Sequence, residues 1–161
     1  MIKKDSTLKE VLALKEVLAN QEPCKKCGRC CEYGSGFLIE EDAKKISKFL
    51  NIKEDELKEK YLETVWIYNK EMLRPKFSKP YGKCIFLKEK ECSIHKAKPL
   101  HCKIACCGEK GRKNDAWFRI NYIVDKKDKN SMSEWKEFLK VNKIKWQKTK
   151  QKKQKKKKQK K

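Results

Sequence analysis

Apolar positions recur at near-helical spacing in several stretches and crowd into two strand-like runs, and between them lie two cysteine-rich blocks with no readable period. From Ser6 to Asn20, the residues Leu8, Val11, Leu12, Val17 and Leu18 fall near one face, with Leu14 off the stripe. With Ser6 placed to cap it and Pro23 to end it, this pattern predicts an amphipathic helix within residues 1–22. Phe37 to Ile39 reads as a brief extension. Glu40, Glu41 and Asp42 then open a second helix as solvent-facing acids that complement its dipole, and Ala43, Ile46, Phe49 and Leu50 form its buried face. Asn51 and Ile52 break the pattern, and Lys53 to Leu62 predicts a third, short helix with Leu57, Tyr61 and Leu62 inward.

The run TVWIYNKEMLRPKF is rich in β-branched and aromatic residues and predicts two short strands joined near Asn69. WFRINYIV, from Trp117 to Val124, predicts another strand. Ser133 is placed to cap a C-terminal helix within residues 131–146 carrying Trp135, Phe138, Leu139, Val141 and Ile144. Nothing apolar follows Trp146, so residues 147–161 predict a disordered tail. The expected architecture is α+β: a small, mostly helical single domain with a few short strands, organised around a cysteine centre within residues 23–125.

Composition explains why such a centre is needed. Hydrophobic residues are 38% of the 161, nine cysteines included, whereas charged residues are 41% against about 25% in ordinary globular chains. A core that thin calls for something besides apolar burial to close the fold. No run approaches the ~20 apolar residues that span a bilayer, and the charged N-terminus lacks the features of a secretory signal. The expected compartment is therefore the cytoplasm, where clustered thiols serve as metal ligands or redox groups more often than as disulfides.

The first block, PCKKCGRCCEYGSG, holds Cys24, Cys27 and Cys30 in a C-x2-C-x2-C run followed directly by Cys31. Two-residue spacing lets a tight turn aim successive sulfurs at one centre, and Gly28 can supply the left-handed backbone angle. The same spacing gives three corners of a cubane cluster in ferredoxins, with the fourth thiolate from elsewhere. The second block supplies Cys84, Cys92, Cys102, Cys106 and Cys107, with His95 and His101. Cys92 and His95 form C-x2-H, a spacing found in zinc sites. Neighbours such as Cys30/Cys31 and Cys106/Cys107 are expected to diverge, so both members of a pair should not bind one mononuclear ion. Either two metal positions exist or some cysteines pack as small hydrophobes. A 4Fe–4S cluster would use four thiolates, and zinc a tetrahedron of four donors; Lys25, Lys26 and Arg29 would balance a cluster's negative charge.

Around these cysteines the chain resembles the CxxCxxCC cysteine-cluster family, often called YkgJ-like, a zinc- or iron-chelating domain. The resemblance rests on CKKCGRCC and on CIFLKEKECSIHKAKPLHC, with its cysteine before an apolar pair, its C-x-I-His step and its basic-Pro-x-x-Cys ending, and covers roughly residues 23–110. It implies that Cys24, Cys27, Cys30, Cys31, Cys84, Cys92 and Cys102 take the family's ligand positions, with Cys106, Cys107 and His95 as candidate additional ligands. Family members are described as metal-chelating or as iron–sulfur oxidoreductases, and a related domain occurs in flagellin lysine methylases. Here Lys103 is followed by Ile104, Ala105, Cys106 and Cys107 where the family commonly shows an apolar-Phe-Pro-Phe stretch.

The formal net charge of +22 suggests nucleic acid until it is located. Ten lysines lie between Lys148 and Lys161, and removing their charge leaves +12 on the rest. Of 44 basic residues only Arg29, Arg74, Arg112 and Arg119 carry the forked guanidinium that reads phosphates and bases, which argues for diffuse electrostatics. Two functions compete: a cluster-bearing protein with a redox or metal-handling role and an unidentified redox or protein partner, or a zinc-stapled nucleic-acid module. The latter would stack bases on Trp117, Phe118 and Tyr122 and bind non-specifically through the tail. A phosphate-cradling glycine loop, a G-x-S-x-G elbow and an H-E-x-x-H helix are all absent from the sequence, and no catalytic residue is identified.

Overall fold

A computed structural model describes residues 7–9, 12–32, 34–78, 82–105 and 107–147. In chain order these form β1 (Thr7–Lys9), α1 (Leu14–Ala19), α2 (Arg29–Glu32), α3 (Glu40–Leu50), α4 (Glu54–Tyr61), β2 (Leu62–Ile67) and β3 (Lys70–Pro75). Next come β4 (Phe77–Ser78), β5 (Lys83–Cys84), β6 (Leu87–Lys88), β7 (Glu91–Cys92), a 3-10 turn (His95–Ala97) and α5 (Leu100–Ile104). The chain closes with α6 (Gly108–Phe118), which runs into a π-turn (Arg119–Ile123), then α7 (Lys129–Val141) and β8 (Lys145–Gln147). Helices dominate and the strands pair two by two, the α+β architecture expected of the sequence. Among the described residues no helix is long and apolar enough to cross a membrane.

The hairpin β2–β3 turns through Tyr68 and Asn69, both at positive φ, as a two-residue turn matched to strand twist requires. The α3 helix ends where expected, at Asn51 in the left-handed conformation. Its first turn departs from expectation. Glu40 and Glu41 are exposed, but Asp42 is fully buried. One carboxylate oxygen of Asp42 accepts the Ile39 N–H at 3.0 Å and the other accepts the Leu100 N–H at 3.1 Å, so one side chain caps both α3 and α5. Burial pushes its carboxyl up, against the pull of those two amides and of Lys45. Asp42→Ala strands two buried amides, each a charge-assisted loss, and is expected to destabilise by about 2–4 kcal/mol in urea unfolding. Phe49, expected to be buried, is exposed, because α3 turns only Ala43, Ile46 and Ser47 beside Asp42 into the interior.

Three further expectations are corrected. The N-terminal segment is not one helix: Thr7–Lys9 pairs in parallel with β8, placing Leu8 opposite Trp146, and among the described residues of the segment only Leu14–Ala19 is helical. So short a helix is weak alone, whereas the pairing buries Leu8. Ser6 and Val11 lie outside the described residues, as do Cys106 and the lysine-rich tail from Lys148. Trp117–Val124 is not a strand but the end of α6 and the π-turn, and Ala116, Trp117, Phe118, Ile120 and Ile123 are all buried. A helix covered on most sides loses its amphipathic period, and that made it read as a strand. The last helix starts four residues before Ser133, capped by Asp128, whose side chain accepts the Ser131 N–H at 2.6 Å. It ends at Val141, which is exposed, and residues 145–147 leave it as a strand.

The interior divides into two apolar clusters. One gathers Phe37, Tyr68, Met72, Leu100, Ile104, Trp117, Phe118 and Trp135 with Leu8 and Trp146. The other holds Leu38, Ile46, Leu57, Leu62, Phe86 and Ile94, with Cys84 among them.

Candidate metal centre

A cavity of about 810 Å³ takes walls from the second cluster, through Cys84, Phe86 and Ile94, and from both cysteine blocks. Cys24, Cys27, Cys30, Cys31, Cys84, Cys92, Cys102 and Cys107 all line it, and so does His95. The seven cysteines carried by the family resemblance thus face one space although they span residues 24–102, and Cys107 joins them. All eight are free thiols, and Cys106 is outside the described residues. Among the described residues no three Cys, His, Asp or Glu side chains are gathered closely enough to hold a metal ion, so the cysteines share a cavity rather than a closed coordination sphere.

Local backbone turns explain how each sulfur arrives there. Gly28 sits at positive φ, and a Cβ there would collide with the Lys90 carbonyl oxygen, so only glycine lets the first block fold against the β6–β7 turn. The next residue starts α2, which carries Cys30 and Cys31 with their sulfurs 4.0 Å apart. The expected divergence of this pair is therefore absent. The Lys26 N–H donates to the Cys24 sulfur at 3.4 Å. Backbone amides of Phe86 and Leu87 serve Cys84, that of Ile94 serves Cys92, and that of Gly36 serves Cys102. Amides two residues beyond Cys24, Cys84 and Cys92 thus donate back to sulfur, an arrangement that stabilises a thiolate and fixes its direction.

The thiols differ in electrostatics. Cys30 is lowered to about 6 by the hydrogen bond from the neighbouring Cys31 thiol and by Lys98, against its own burial. Cys92 is lowered to about 7 by its bond from Cys31, with the Ile94 amide and Lys98 assisting against burial. Cys31, hydrogen-bonded to both, is driven the other way and holds the proton between them. Two thiols that ionise this easily offer thiolates to a cation. Burial pushes Cys84 up to about 11 and Cys102 up to about 12, so these two ionise readily only when a cation offsets the burial.

Donor chemistry fits a metal. The Nε2 atom of His95 is buried with no hydrogen-bond partner, and burial, with Lys98 and Lys26, lowers its pKa, keeping the imidazole neutral with a lone pair to offer. His101 is committed otherwise. Its Nδ1 accepts the Phe37 N–H at 3.0 Å, which puts a hydrogen on Nε2 to donate to Asp115 at 2.6 Å. The ring is stacked on Phe118 at 4.2 Å and beside Phe37 at 5.7 Å. Burial works against ionisation of Asp115, yet His101 and Arg119 hold its carboxyl below the usual range. This His101–Asp115–Arg119 network anchors the helix that carries Cys102 to α6.

Sequence reading missed Asp115, Arg112 and Arg119 as wall residues. Gly108, Gly111, Arg112, Asp115 and Arg119 recur at helical spacing along α6 and line the cavity, but the strand assigned at Trp117 hid that face. Gly36 was also missed. A Cβ there would stand 2.5 Å from the Cys102 sulfur and 3.1 Å from its backbone nitrogen. Gly36→Ala is expected to displace Cys102 and cut bound metal at least ~10-fold, the size of loss seen when a group that orients a metal ligand is removed, measured as metal per chain after purification.

The CxxCxxCC family, described as a "Putative zinc- or iron-chelating domain", matches residues 23–118. An uncharacterised protein of Methanocaldococcus jannaschii is 36% identical over 83 residues, which are 50% of this chain and 42% of that protein. The chain therefore spans less than half the length of this curated relative. No solved structure matches it.

Proposed function

The chain belongs to the CxxCxxCC family of zinc- or iron-chelating domains, and on that premise we propose that it is a cytoplasmic metal-binding protein carrying an iron–sulfur cluster. Its ligands are Cys30, Cys84, Cys92 and Cys102, and Cys24, Cys27 and Cys31 complete the thiol wall. The observation that carries the reading is the convergence of sulfurs from both cysteine blocks on one cavity. Amide-to-sulfur bonds such as those at Cys84 set the potential of a four-thiolate cluster.

Iron–sulfur is favoured over zinc for two reasons. His101 has both nitrogens occupied, which leaves the wall dominated by thiolates. The C-x2-C-x2-C spacing of Cys24, Cys27 and Cys30, with further thiols on the same wall, is also the spacing that supplies three corners of a cubane cluster in ferredoxins. A bound cluster would supply one-electron chemistry. The residues of the chain hold it, exclude water through Phe86 and Ile94, and offset its charge through Lys98. The nucleic-acid reading loses its stacking platform, since Trp117 is 4% and Phe118 0% exposed.

Anaerobic purification followed by absorption spectroscopy and iron, sulfide and zinc analysis tests the reading. Brown protein with iron and acid-labile sulfide in comparable amounts is expected. Colourless protein with stoichiometric zinc would reject the cluster and retain the metal site, and folded, metal-free protein would reject both.

A further inference from the structure

Three consecutive residues of α5 are each fixed from outside the helix. Asp42 accepts the Leu100 N–H, the His101 ring is bonded at both nitrogens, and the Gly36 N–H serves the Cys102 sulfur. Gly36 and Phe37 therefore present consecutive amides to Cys102 and His101. The two stretches are in close contact, since a Cβ on Gly36 would stand 2.5 Å from the Cys102 sulfur and 3.2 Å from the His101 Cβ. Only one tautomer of His101 suits this pairing. The Phe37 N–H donates to Nδ1 at 3.0 Å, so the ring hydrogen must be on Nε2. On that side stands Asp115, whose carboxylate accepts and cannot donate, with Oδ1 2.6 Å from Nε2. The same Oδ1 accepts from Arg119 Nε at 2.9 Å, and the Arg119 guanidinium lies 5.6 Å from the centre of the Phe37 ring. One circuit thus holds Phe37 twice, at its amide through His101 and at its ring through Arg119, and the two arms meet on Asp115. The His101, Asp115 and Arg119 side chains are 6%, 25% and 17% exposed, so water weakens these bonds less than it would at the surface.

We propose that Asp115, 14 residues from His101 and on another helix, is a positioning residue for Cys102: it fixes the His101 tautomer, which holds the Gly36 and Phe37 amides in place and so aims the Cys102 sulfur into the cavity. Asp115 is not itself a ligand. It acts through groups that orient one, and removing such a group costs a metal site about 10–100-fold in affinity. Without the carboxylate the Nδ1–H tautomer is admitted, donor meets donor at Phe37, and the Gly36 amide loosens with its neighbour. The part played by Cys102 as a ligand rests on the metal-binding reading, whereas the bonds of the Gly36 and Phe37 amides are measurable independently of it.

Two measurements on full-length, anaerobically purified protein test this role: metal retained against a chelator, and hydrogen exchange of the peptide holding Gly36 and Phe37, read by mass spectrometry. Asp115→Leu has a side chain of similar size that accepts nothing. It is expected to speed exchange of that peptide ~10-fold or more, the loss of a charge-assisted hydrogen bond, and to surrender metal at ~10-fold lower chelator concentration. Asp115→Ala carries the same expectation should the leucine variant not fold. Asp115→Asn keeps an oxygen that can accept from both His101 and Arg119, and should restore most of both readouts. Asp128→Ala, which removes the α7 cap and loosens the fold away from the cavity, should leave both unchanged. Wild-type exchange or wild-type metal retention in Asp115→Leu overturns the role, as do equal losses in Asp115→Asn or in Asp128→Ala. Wild-type protein without metal would end the metal reading alone. Exchange at Gly36 and Phe37 would then decide the role of Asp115 by itself, upheld by acceleration in Asp115→Leu and refuted by its absence.

Discussion

Removing the metal with a chelator under anaerobic, reducing conditions is expected to lower the unfolding free energy by several kcal/mol and to abolish much of the near-ultraviolet circular dichroism. The chain buries two separate apolar clusters; the thiol-lined cavity takes walls from the smaller one and reaches the larger through His101, whose ring stacks on Phe118. With 38% hydrophobic residues, neither cluster is large. Binding free energy at structural thiolate sites, on the order of 10–16 kcal/mol in small zinc domains, rivals the whole stability of an ordinary domain, about 5–15 kcal/mol. Part of the fold has its own core around Trp135 and Phe118, so the expected loss is a fraction of the larger figure. Urea titration of holo and chelated protein measures it. Coincident transitions would mean that the thiols bind nothing that matters to folding.

Cys84→Ser is expected to reduce bound metal by at least ~100-fold, because losing a mere outer-shell partner of a metal ligand already costs 10–100-fold. Cys84 is 5% exposed, receives two backbone amides and sits in the smaller cluster beside Phe86 and Ile94. Cys102→Ser should match it, because Gly36 brings its backbone against that sulfur. Cys107→Ser makes the contrast: this thiol is exposed, and burial with the nearby Cys27 and Cys30 raises it. The Cys107 variant should keep its metal, as read by metal analysis alongside a circular dichroism spectrum that establishes folding. Equal losses in all three variants would disconnect metal binding from the amide-supported sulfurs.

Much of this site was legible in the chain itself. The C-x2-C-x2-C spacing and Gly28 foretold a tight turn, and the second block foretold a distant partner. Both cysteine blocks do line one cavity. The hairpin around Asn69 and the helix from Glu40 were readable because their periods are local and their turns use residues that tolerate positive φ. What escaped depended on tertiary packing. Asp42 reads as a solvent-facing first-turn acid until α5 brings the Leu100 amide to it. Trp117 to Ile123 reads as a strand because a buried helix has no polar face to reveal its period. The strand at Thr7 forms only because the other end of the chain returns to pair with it. A sequence window contains none of those partners.

X-ray absorption at the edge of whichever metal co-purifies with the full-length protein bears most directly on the convergence of the two cysteine blocks. A first shell of about four sulfur atoms near 2.3 Å is expected, disrupted in Cys30→Ser and in Cys84→Ser alike. A first shell of oxygen and nitrogen, or a sulfur shell that persists unchanged in either variant, would contradict a centre built by both ends of the domain.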